Sequence, residues 1–580
     1  MKTNLVKKKW SMWGGIFCPA IVLFVVAYTY RRLFFGFFEQ DEWSSFAAGI
    51  IFFNLSFTDQ LKNLFAVSHV LTHFTPVINS FVLIMQKIFG PNYLVFASYV
   101  YFLHLANSIL VYILLKRVSK SVLFASGTAL LFGVHAVSSQ AVLWIAGALG
   151  FQTALFFYLL SVQFYLFYLQ KKSKRNLFLS VFLFLCSILS TEATLVLIVV
   201  YPILYLAMRK SKFSHFRMKD FKHIVIFPAL IATLFITKYV LLLVNPHKHA
   251  KGFVFGTLST HPEMVFIKIF LYPLQALSQV FDYGGWVFRM SHAVLESIYP
   301  QLASLPVSGQ LQGSLVPDVL YLLLTTVLLI LFVTSAFFAF RSKEKKFGML
   351  ILLGLALFFI SILPYVPLPR AIGFLENRYY YVPNLFASIV LSAVIFFWTK
   401  KIFSRSVSAA SIAFVIVISV ITLINILYIR NYYLVKEGYA YERKSLLNQL
   451  SAIMPSLTGK ENVFFFTGKG SDFLIPDLKV PFQSGLGNIL MVLYYDNRSL
   501  RPEILDDGYL YSHDSQGYRR LGEYGFGYFY NEADLEKAVL RNEFSPDVVH
   551  AFFWDRETMV LTEISDAVKK RLDSKIKDEK

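Results

Sequence analysis

Long uncharged apolar runs alternate with short basic clusters along most of this chain. A helix must offer about 20 apolar residues to cross a hydrocarbon layer of roughly 30 Å. Eleven runs meet or approach that length: Trp13–Tyr30, Tyr93–Leu115, Ser121–His135, Gly147–Leu169, Asn176–Thr191, Ala193–Met208, Ile224–Val244, Val319–Phe340, Phe347–Pro364, Tyr380–Thr399 and Val407–Ile429. The basic clusters fall at every second boundary. They are Lys7 to Lys9, Lys116 with Arg117 and Lys120, Lys171 to Arg175, the loop Arg209–His223, Arg341 to Lys346, and Lys400 to Arg405. Lys and Arg accumulate in cytoplasmic loops, so this alternation puts the N-terminus in the cytoplasm. Three segments then lie outside: Glu39–Asn92, Asn245–Asp318 and everything after Arg430. The first run resembles a signal peptide but lacks a clear small-residue cleavage site, and is read as a retained helix.

The pattern changes twice. Within Glu39–Asn92 the apolar patches Phe46–Phe57 and Val77–Phe89 are too short or too amphipathic for spans, and predict short helices along the membrane. Beyond Arg430 the chain turns polar and mixed. Asn462–Thr467 and Asp547–Trp554 read as strands, and Asn531–Leu540 as a short helix. Val548–Trp554 and Met559–Thr562, with Asp555 to Thr558 between them, read as a hairpin. The expected fold is therefore an α-helical polytopic membrane domain, residues 1–430 with about eleven spans, followed by a small extracytoplasmic α/β domain, residues 431–580. No internal repeat stands out.

Composition sharpens this reading. Hydrophobic residues make up 56% of the chain and charged ones only 16%, which no soluble core of this size requires. The net charge of +20 would suit a nucleic-acid partner if it were spread over one polar surface. It lies instead between apolar runs, where it sets topology, so no nucleic acid is expected. Cys18 and Cys186 both sit in apolar runs, and a structural disulfide is not expected. No phosphate-binding loop or dinucleotide fingerprint is present, which disfavours direct use of a nucleotide sugar. His247 and His249 lack a third ligand, so no metal and no cofactor is assigned.

The chemistry-bearing residues cluster at outer helix ends. Phe38-Glu39-Gln40-Asp41-Glu42-Trp43 follows the first run directly. Carboxylates at a membrane boundary are costly to bury. The turn is either a solvated loop start or a base that takes a proton from an attacking hydroxyl. Further on come Ser68-His69-Val70-Leu71-Thr72-His73-Phe74-Thr75-Pro76, Gly90-Pro91-Asn92-Tyr93 and Leu103-His104-Leu105-Ala106-Asn107. Then follow Gly133-Val134-His135-Ala136-Val137-Ser138-Ser139-Gln140-Ala141-Val142, Ser190-Thr191-Glu192-Ala193 and Glu376-Asn377-Arg378-Tyr379-Tyr380-Tyr381-Val382-Pro383.

This order, over roughly Trp13 to Tyr433, resembles the GT-C class of polyprenyl-phosphate-sugar glycosyltransferases, and within it the protein O-mannosyltransferases and TMTC-type mannosyltransferases. His135 to Val142 is similar to the class element His-Pro-x-x-x-Glu-Ala-Val, with Ala136 in place of Pro and Gln140 in place of Glu. Ser190 to Ala193 is similar to Lys-Glu-x-Gly without its Lys. Glu376 to Pro383 is similar to Glu-x-Arg-Tyr-Leu-Tyr-x-Pro. Thr75-Pro76 stands where Arg-Pro is expected, and the tail has no 34-residue helical repeat. These departures bear on the sugar and the acceptor more than on the chemistry.

The resemblance implies an inverting transfer from a polyprenyl-phosphate sugar to a glycan, lipid or protein hydroxyl at the outer face of a membrane, the plasma membrane of a prokaryote. Asp41 would be the base, with Glu42 supporting it or binding the acceptor. Arg378 is the first choice for the lipid phosphate, because a guanidinium grips phosphate oxygens in a fork, and Arg370 is the second. The lesser alternative for Arg378 is a snorkelling interface anchor beside its tyrosines. Lys238, inside an apolar run, is either a lipid-phosphate contact or a buried or snorkelling charge. His69 and His73 are either ligands for sugar or phosphate or ordinary interfacial histidines. His135, Gln140, Glu192 and Glu376 are the remaining substrate-binding candidates. Two rival readings are a transporter or flippase of a lipid-linked saccharide, which would more often show two-fold repeats, and a membrane scaffold presenting the tail.

Overall fold

The computed structural model describes residues 17–39, 41–65, 75–208, 222–244, 262–282, 286–298, 316–366, 376–457, 459–468, 486–496 and 516–579. Among these residues seven helices are long and apolar enough to cross a membrane: Phe17–Phe35, Tyr93–Ser119, Ile145–Lys171, Val319–Arg341, Lys345–Tyr365, Asn377–Ile402 and Val407–Ile453. An eighth span is possible if the bent pair Val122–Gly133 and Ala136–Leu143 counts as one. Large apolar side chains such as Phe24, Phe102, Phe178 and Val407 stand exposed on helices, an arrangement suited to lipid rather than water. The remaining apolar runs form shorter pieces. Asn176–Thr191 falls in the 15-residue helix Lys174–Ile188, and the run after it is a 3-10 turn, Glu192–Val199, followed by the helix Val200–Met208. At 1.5 Å per residue, 15 residues reach only about 22 Å.

The segment after the first span carries the helices Asp41–Asn54, Phe57–Phe65 and Pro76–Phe89, none longer than 14 residues. Two helices of that length reach only about 21 Å.

The chain divides into two compact units. One comprises Met1–Leu33, Phe65–Phe81 and Phe96–Asn431; the other comprises Phe34–Leu64, Val82–Val95 and Tyr432–Lys580.

In the first unit, neutral polar groups tie apolar helices together. The bend near His135 shows how. Val134 and His135 leave helical geometry, which frees backbone groups that would be costly to bury unpaired. Asn425 Oδ1 accepts the Ala136 N–H at 2.7 Å. Asn384 Nδ2 donates to the Phe132 carbonyl at 3.1 Å and to Ser138 Oγ at 3.0 Å. Gly133 permits this crowding, since a Cβ there would lie 2.5 Å from Val26 and 2.9 Å from Ser108 Oγ. Nearby, His104 Nε2 donates to the Gly133 carbonyl and Nδ1 accepts from the Tyr381 hydroxyl, both at 2.8 Å. Asn107 Nδ2 donates to the same hydroxyl at 3.1 Å and to the Gln152 carbonyl at 3.0 Å. Both ring nitrogens of His104 are thus bonded within the protein, and the motif Leu103 to Asn107 serves packing.

In the second unit, five strands form one sheet in the order β2-β3-β1-β4-β5. They are β1 (Glu461–Gly468), β2 (Gly517–Leu521), β3 (Tyr524–Phe529), β4 (Val549–Asp555) and β5 (Val560–Glu563). The central strand β1 runs parallel to both β3 and β4, and the two edges are antiparallel hairpins. The expected strand at Asn462–Thr467 is β1, and the expected hairpin is β4–β5. Asp555 Oδ1 accepts the Glu557 N–H at 2.9 Å, which shapes the turn between them. The helix Glu532–Leu540 starts at Asn531, whose side chain accepts the Ala533 N–H at 2.9 Å, an ordinary N-cap. Val463, Phe465, Val549 and Ala551 of the sheet pack on Leu535, Val539, Val568 and Leu572 of two helices to make the core. Gln449, near the end of a long helix, locks onto the hairpin. Its amide donates to the Met559 carbonyl and accepts from the Leu561 N–H, both at 2.8 Å.

Candidate functional site

The sequence-derived site residues fall into two groups, one in each unit.

In the second unit, Glu39 stands just before the helix Asp41–Asn54, whose first two residues are Asp41 and Glu42. The free N–H groups and the dipole of that first turn favour carboxylates there. The Asp41 carbonyl accepts Ser44 Oγ and Ser45 Oγ, each at 2.9 Å. Glu42 is only 3% exposed, and its carboxylate accepts the Glu39 N–H at 3.2 Å. Asp41 is half-buried. An aromatic wall of Phe38, Trp43, Phe46 and Tyr93 surrounds the helix start, with Phe38 edge-on to Trp43, Phe46 and Tyr93 at 4.9–5.6 Å.

Two cations attend these carboxylates, and the sequence reading missed both. Lys436 Nζ pairs with Glu39 Oε2 at 2.5 Å, across 397 residues of chain. Arg443 is buried, within the electrostatic field of Glu39, Glu42, Tyr93 and Glu442. Lys436 and Arg443 are seven residues apart, two helical turns, and so share one face of the helix Val407–Ile453. That spacing was the available signal. It was lost because everything after Arg430 reads as polar tail. Next to Arg443, Glu442 accepts the Trp554 indole N–H at 3.1 Å and pairs with Arg556 at 3.3 Å.

In the first unit, Gln140, Glu376 and Arg378 meet. Glu376 precedes the 3-10 turn Asn377–Tyr380, which leads into the helix Tyr381–Ile402. The Arg378 N–H donates to Gln140 Oε1 at 3.0 Å. An amide oxygen accepts that bond without adding a charge beside Glu376. Arg378 Nη2 pairs with Glu376 Oε2 at 2.7 Å and donates to the Tyr379 hydroxyl at 3.2 Å. The guanidinium also lies over the rings of Trp144, at 4.5 Å, and Tyr379, at 5.0 Å. Cation–π contacts of this kind contribute about 0.5–2 kcal/mol each. A charged guanidinium on an aromatic bed, with its side chain still 19% exposed, can grip an oxyanion.

Glu192 begins the 3-10 turn Glu192–Val199 and acts electrostatically on Tyr365. The Tyr365 ring packs on Tyr379 at 4.8 Å, and both meet Phe151. Glu192 therefore connects to Arg378 through two tyrosines. His135 is buried at the helix break, and its carbonyl accepts the Ser138 N–H and Oγ, each at 3.2 Å. His69, His73 and Arg370, and with them the pair His247 and His249, lie outside the described residues, as does the side chain of Lys238 within the helix Lys222–Val244. Among the described residues no three His, Cys, Asp or Glu side chains are grouped to hold a metal.

A separate cavity of about 420 Å³ opens on the sheet domain, lined by Lys460, Glu461, Arg520, Glu523, Asp547 and His550 among others. Four of its charges form two pairs: Arg520 with Glu461 at 3.2 Å, and Lys460 with Glu523. Burial, with the Lys569 charge nearby, holds the His550 imidazole below its ordinary range.

By class, the chain is a polytopic helical membrane protein that carries a small sheet domain near its C-terminus. No protein-family model and no curated protein matches its sequence.

Proposed function

We propose that this protein is a GT-C-like membrane glycosyltransferase. It moves a sugar from a polyprenyl-phosphate carrier to an acceptor hydroxyl on the extracytoplasmic face. The observation that carries this reading is the carboxylate group of Glu39, Asp41 and Glu42 at the start of the helix Asp41–Asn54. One of these carboxylates is half-buried and another fully buried directly beyond the first apolar span, with two cations recruited to them. A solvated loop start needs no such arrangement. The reading includes eleven spans, a cytoplasmic N-terminus, an extracytoplasmic tail and a prokaryotic plasma membrane.

The chemistry needs few groups. Asp41 takes the proton of the acceptor hydroxyl as that oxygen bonds to the anomeric carbon. The carbon–oxygen bond to the phosphate breaks on the opposite side, its electron pair leaves with the phosphate, and configuration inverts. The lipid phosphate is a good leaving group and needs no acid. Arg378 is the proposed phosphate contact. Glu192, Glu376, Gln140, His135, His69 and His73 are the proposed surroundings of sugar and acceptor, and Arg370 and Lys238 further contacts for the lipid phosphate.

The test uses purified full-length protein in liposomes, polyprenyl phosphates carrying labelled hexoses, and an envelope extract as acceptor. Asp41→Asn keeps the shape and removes the base, so turnover should fall about 10²–10⁴-fold. Undiminished turnover in Asp41→Asn rejects the base. Label that crosses the bilayer still attached to its lipid favours the flippase instead. Arg378→Ala should weaken donor binding by roughly 1.5–3 kcal/mol, seen as a higher KM for the lipid.

A further inference from the structure

Two helices of the first unit, Tyr93–Ser119 and Ile145–Lys171, lie side by side. Tyr99 and Thr153 share a hydrogen bond between their hydroxyls at 3.0 Å, and Asn107 Nδ2 donates to the Gln152 carbonyl at 3.0 Å. Both helices end in basic residues, and there the Arg117 guanidinium lies over the Phe167 ring at 4.1 Å. Its Nη1 is buried and has no hydrogen-bond partner among the described residues. The aromatic face attracts the cation but offers no oxygen to its N–H groups. Lys171 is exposed and stands one turn beyond Phe167 on the same helix face. None of the ion pairs among the described residues includes Arg117 or Lys171.

A second orphan lies deeper on that face. Gln163 is four residues before Phe167, about 6 Å along the axis at 1.5 Å per residue. It is 6% exposed, and neither its Oε1 nor its Nε2 has a partner among the described residues. A buried amide with both ends unpaired is costly in an apolar surrounding and rare. On the neighbouring helix, Ile113 stands one turn deeper than Arg117 and is 40% exposed, so the Arg117 face of that helix borders lipid.

The order of these groups identifies the ligand. Unpaired cations at the helix ends call for an anion at head-group depth. An amide one turn further in calls for a neutral acceptor. Apolar surface beside both calls for hydrocarbon. A free phosphate meets only the first demand. An anionic phospholipid meets all three, because its phosphate, ester carbonyls and acyl chains follow one another in that order into the membrane.

We propose that the cleft between Tyr93–Ser119 and Ile145–Lys171 binds one anionic phospholipid. Its phosphate accepts from Arg117, with Lys171 beside it, and an ester carbonyl accepts from Gln163 Nε2. The site takes no part in sugar transfer and is independent of the role of Asp41.

In the experiment, full-length protein in detergent is titrated with phosphatidylglycerol or with phosphatidylcholine of the same acyl chains, and bound lipid is counted by native mass spectrometry. Wild type should bind its first phosphatidylglycerol about tenfold more tightly than phosphatidylcholine. Arg117→Gln should weaken phosphatidylglycerol about tenfold and leave phosphatidylcholine within about twofold, which also shows that the variant is folded. If Arg117→Gln loses both lipids, Arg117→Lys decides. It should bind phosphatidylglycerol within about threefold of wild type, and failure overturns the proposal. Gln163→Leu should weaken both lipids alike, about fivefold, since the ester carbonyl is common to them. Unchanged binding in Gln163→Leu leaves only an anion contact and overturns the lipid. Arg405→Gln, at an exposed cation on another helix end, should change neither lipid. Equal losses in Arg117→Gln and Arg405→Gln overturn the site in favour of diffuse attraction, and unchanged phosphatidylglycerol binding in Arg117→Gln overturns it outright. Excess inorganic phosphate should not displace the lipid, and displacement overturns the proposal in favour of a free anion.

Discussion

The two units differ in which polar groups they gather most densely. In the unit containing Phe96–Asn431, the deepest polar contacts are neutral: His104 with Tyr381 and Asn107, Asn384 with Phe132 and Ser138, Asn425 with Ala136. The ion pair Lys400–Glu344 is part-exposed, and the buried Asp282 is held by neutral donors, the Trp286 N–H at 2.9 Å and the Tyr321 hydroxyl at 3.1 Å. In the unit containing Tyr432–Lys580, charges themselves are buried: Glu42, Glu442 and Arg443 are each at most 5% exposed. A neutral amide loses little in an apolar surrounding once it is hydrogen-bonded, whereas a charge needs an opposite charge as well. Buried ions are therefore weak devices for stability alone, and their concentration around Glu39 to Glu42 marks the place where charge is wanted for another reason.

Three substitutions can break or sharpen this contrast. The largest effect belongs to neither kind of polar contact. Phe465→Ala removes a fully buried ring from the sheet core, at an expected cost of about 3–5 kcal/mol. Amide exchange of β1 and β4 should report it, and a loss below about 1 kcal/mol would mean that the sheet core contributes far less than its burial implies. Next comes the ionic device. Glu39→Gln leaves Lys436 without its carboxylate. Removing one partner of a fully buried pair costs about 3–5 kcal/mol, and the partial exposure of Lys436, 27%, reduces the expectation to about 2–3. A thermal-unfolding series in detergent at several salt concentrations checks it. Indifference to the substitution would show the pair to be ornamental.

The smallest effect is expected for the neutral device. Asn384→Ala strips donors from the Phe132 carbonyl and Ser138 Oγ, worth about 1–2 kcal/mol and insensitive to salt. If Asn384→Ala proved costlier than Glu39→Gln, the contrast between the two units would be reversed.

Much of this protein was legible in its residues. Apolar runs of helical length mark most of the membrane helices, because burial in lipid selects side chains one residue at a time. Asn531 before an amphipathic stretch, and two short strands around Asp555 to Thr558, are local signals read within a dozen residues. The carboxylates after the first run, and the run from Glu376 to Pro383, also stood out as chemistry. Other features depended on residues far apart in the chain. The run Ser121–His135 continues past its break to Leu143, because Asn384 and Asn425 capture the freed backbone. The stretch after Thr191 takes up a 3-10 turn where apolarity alone implied a straight span. β1 lies between β3 and β4, a parallel pairing that no local pattern specifies. Lys436 and Arg443 meet Glu39 and Glu42 only because the fold brings together segments separated by about four hundred residues. Hydrophobic periodicity and capping are properties of neighbouring residues, and the sequence carries them openly. Which charge compensates which is decided by closure of the whole chain, and only the tertiary structure shows it.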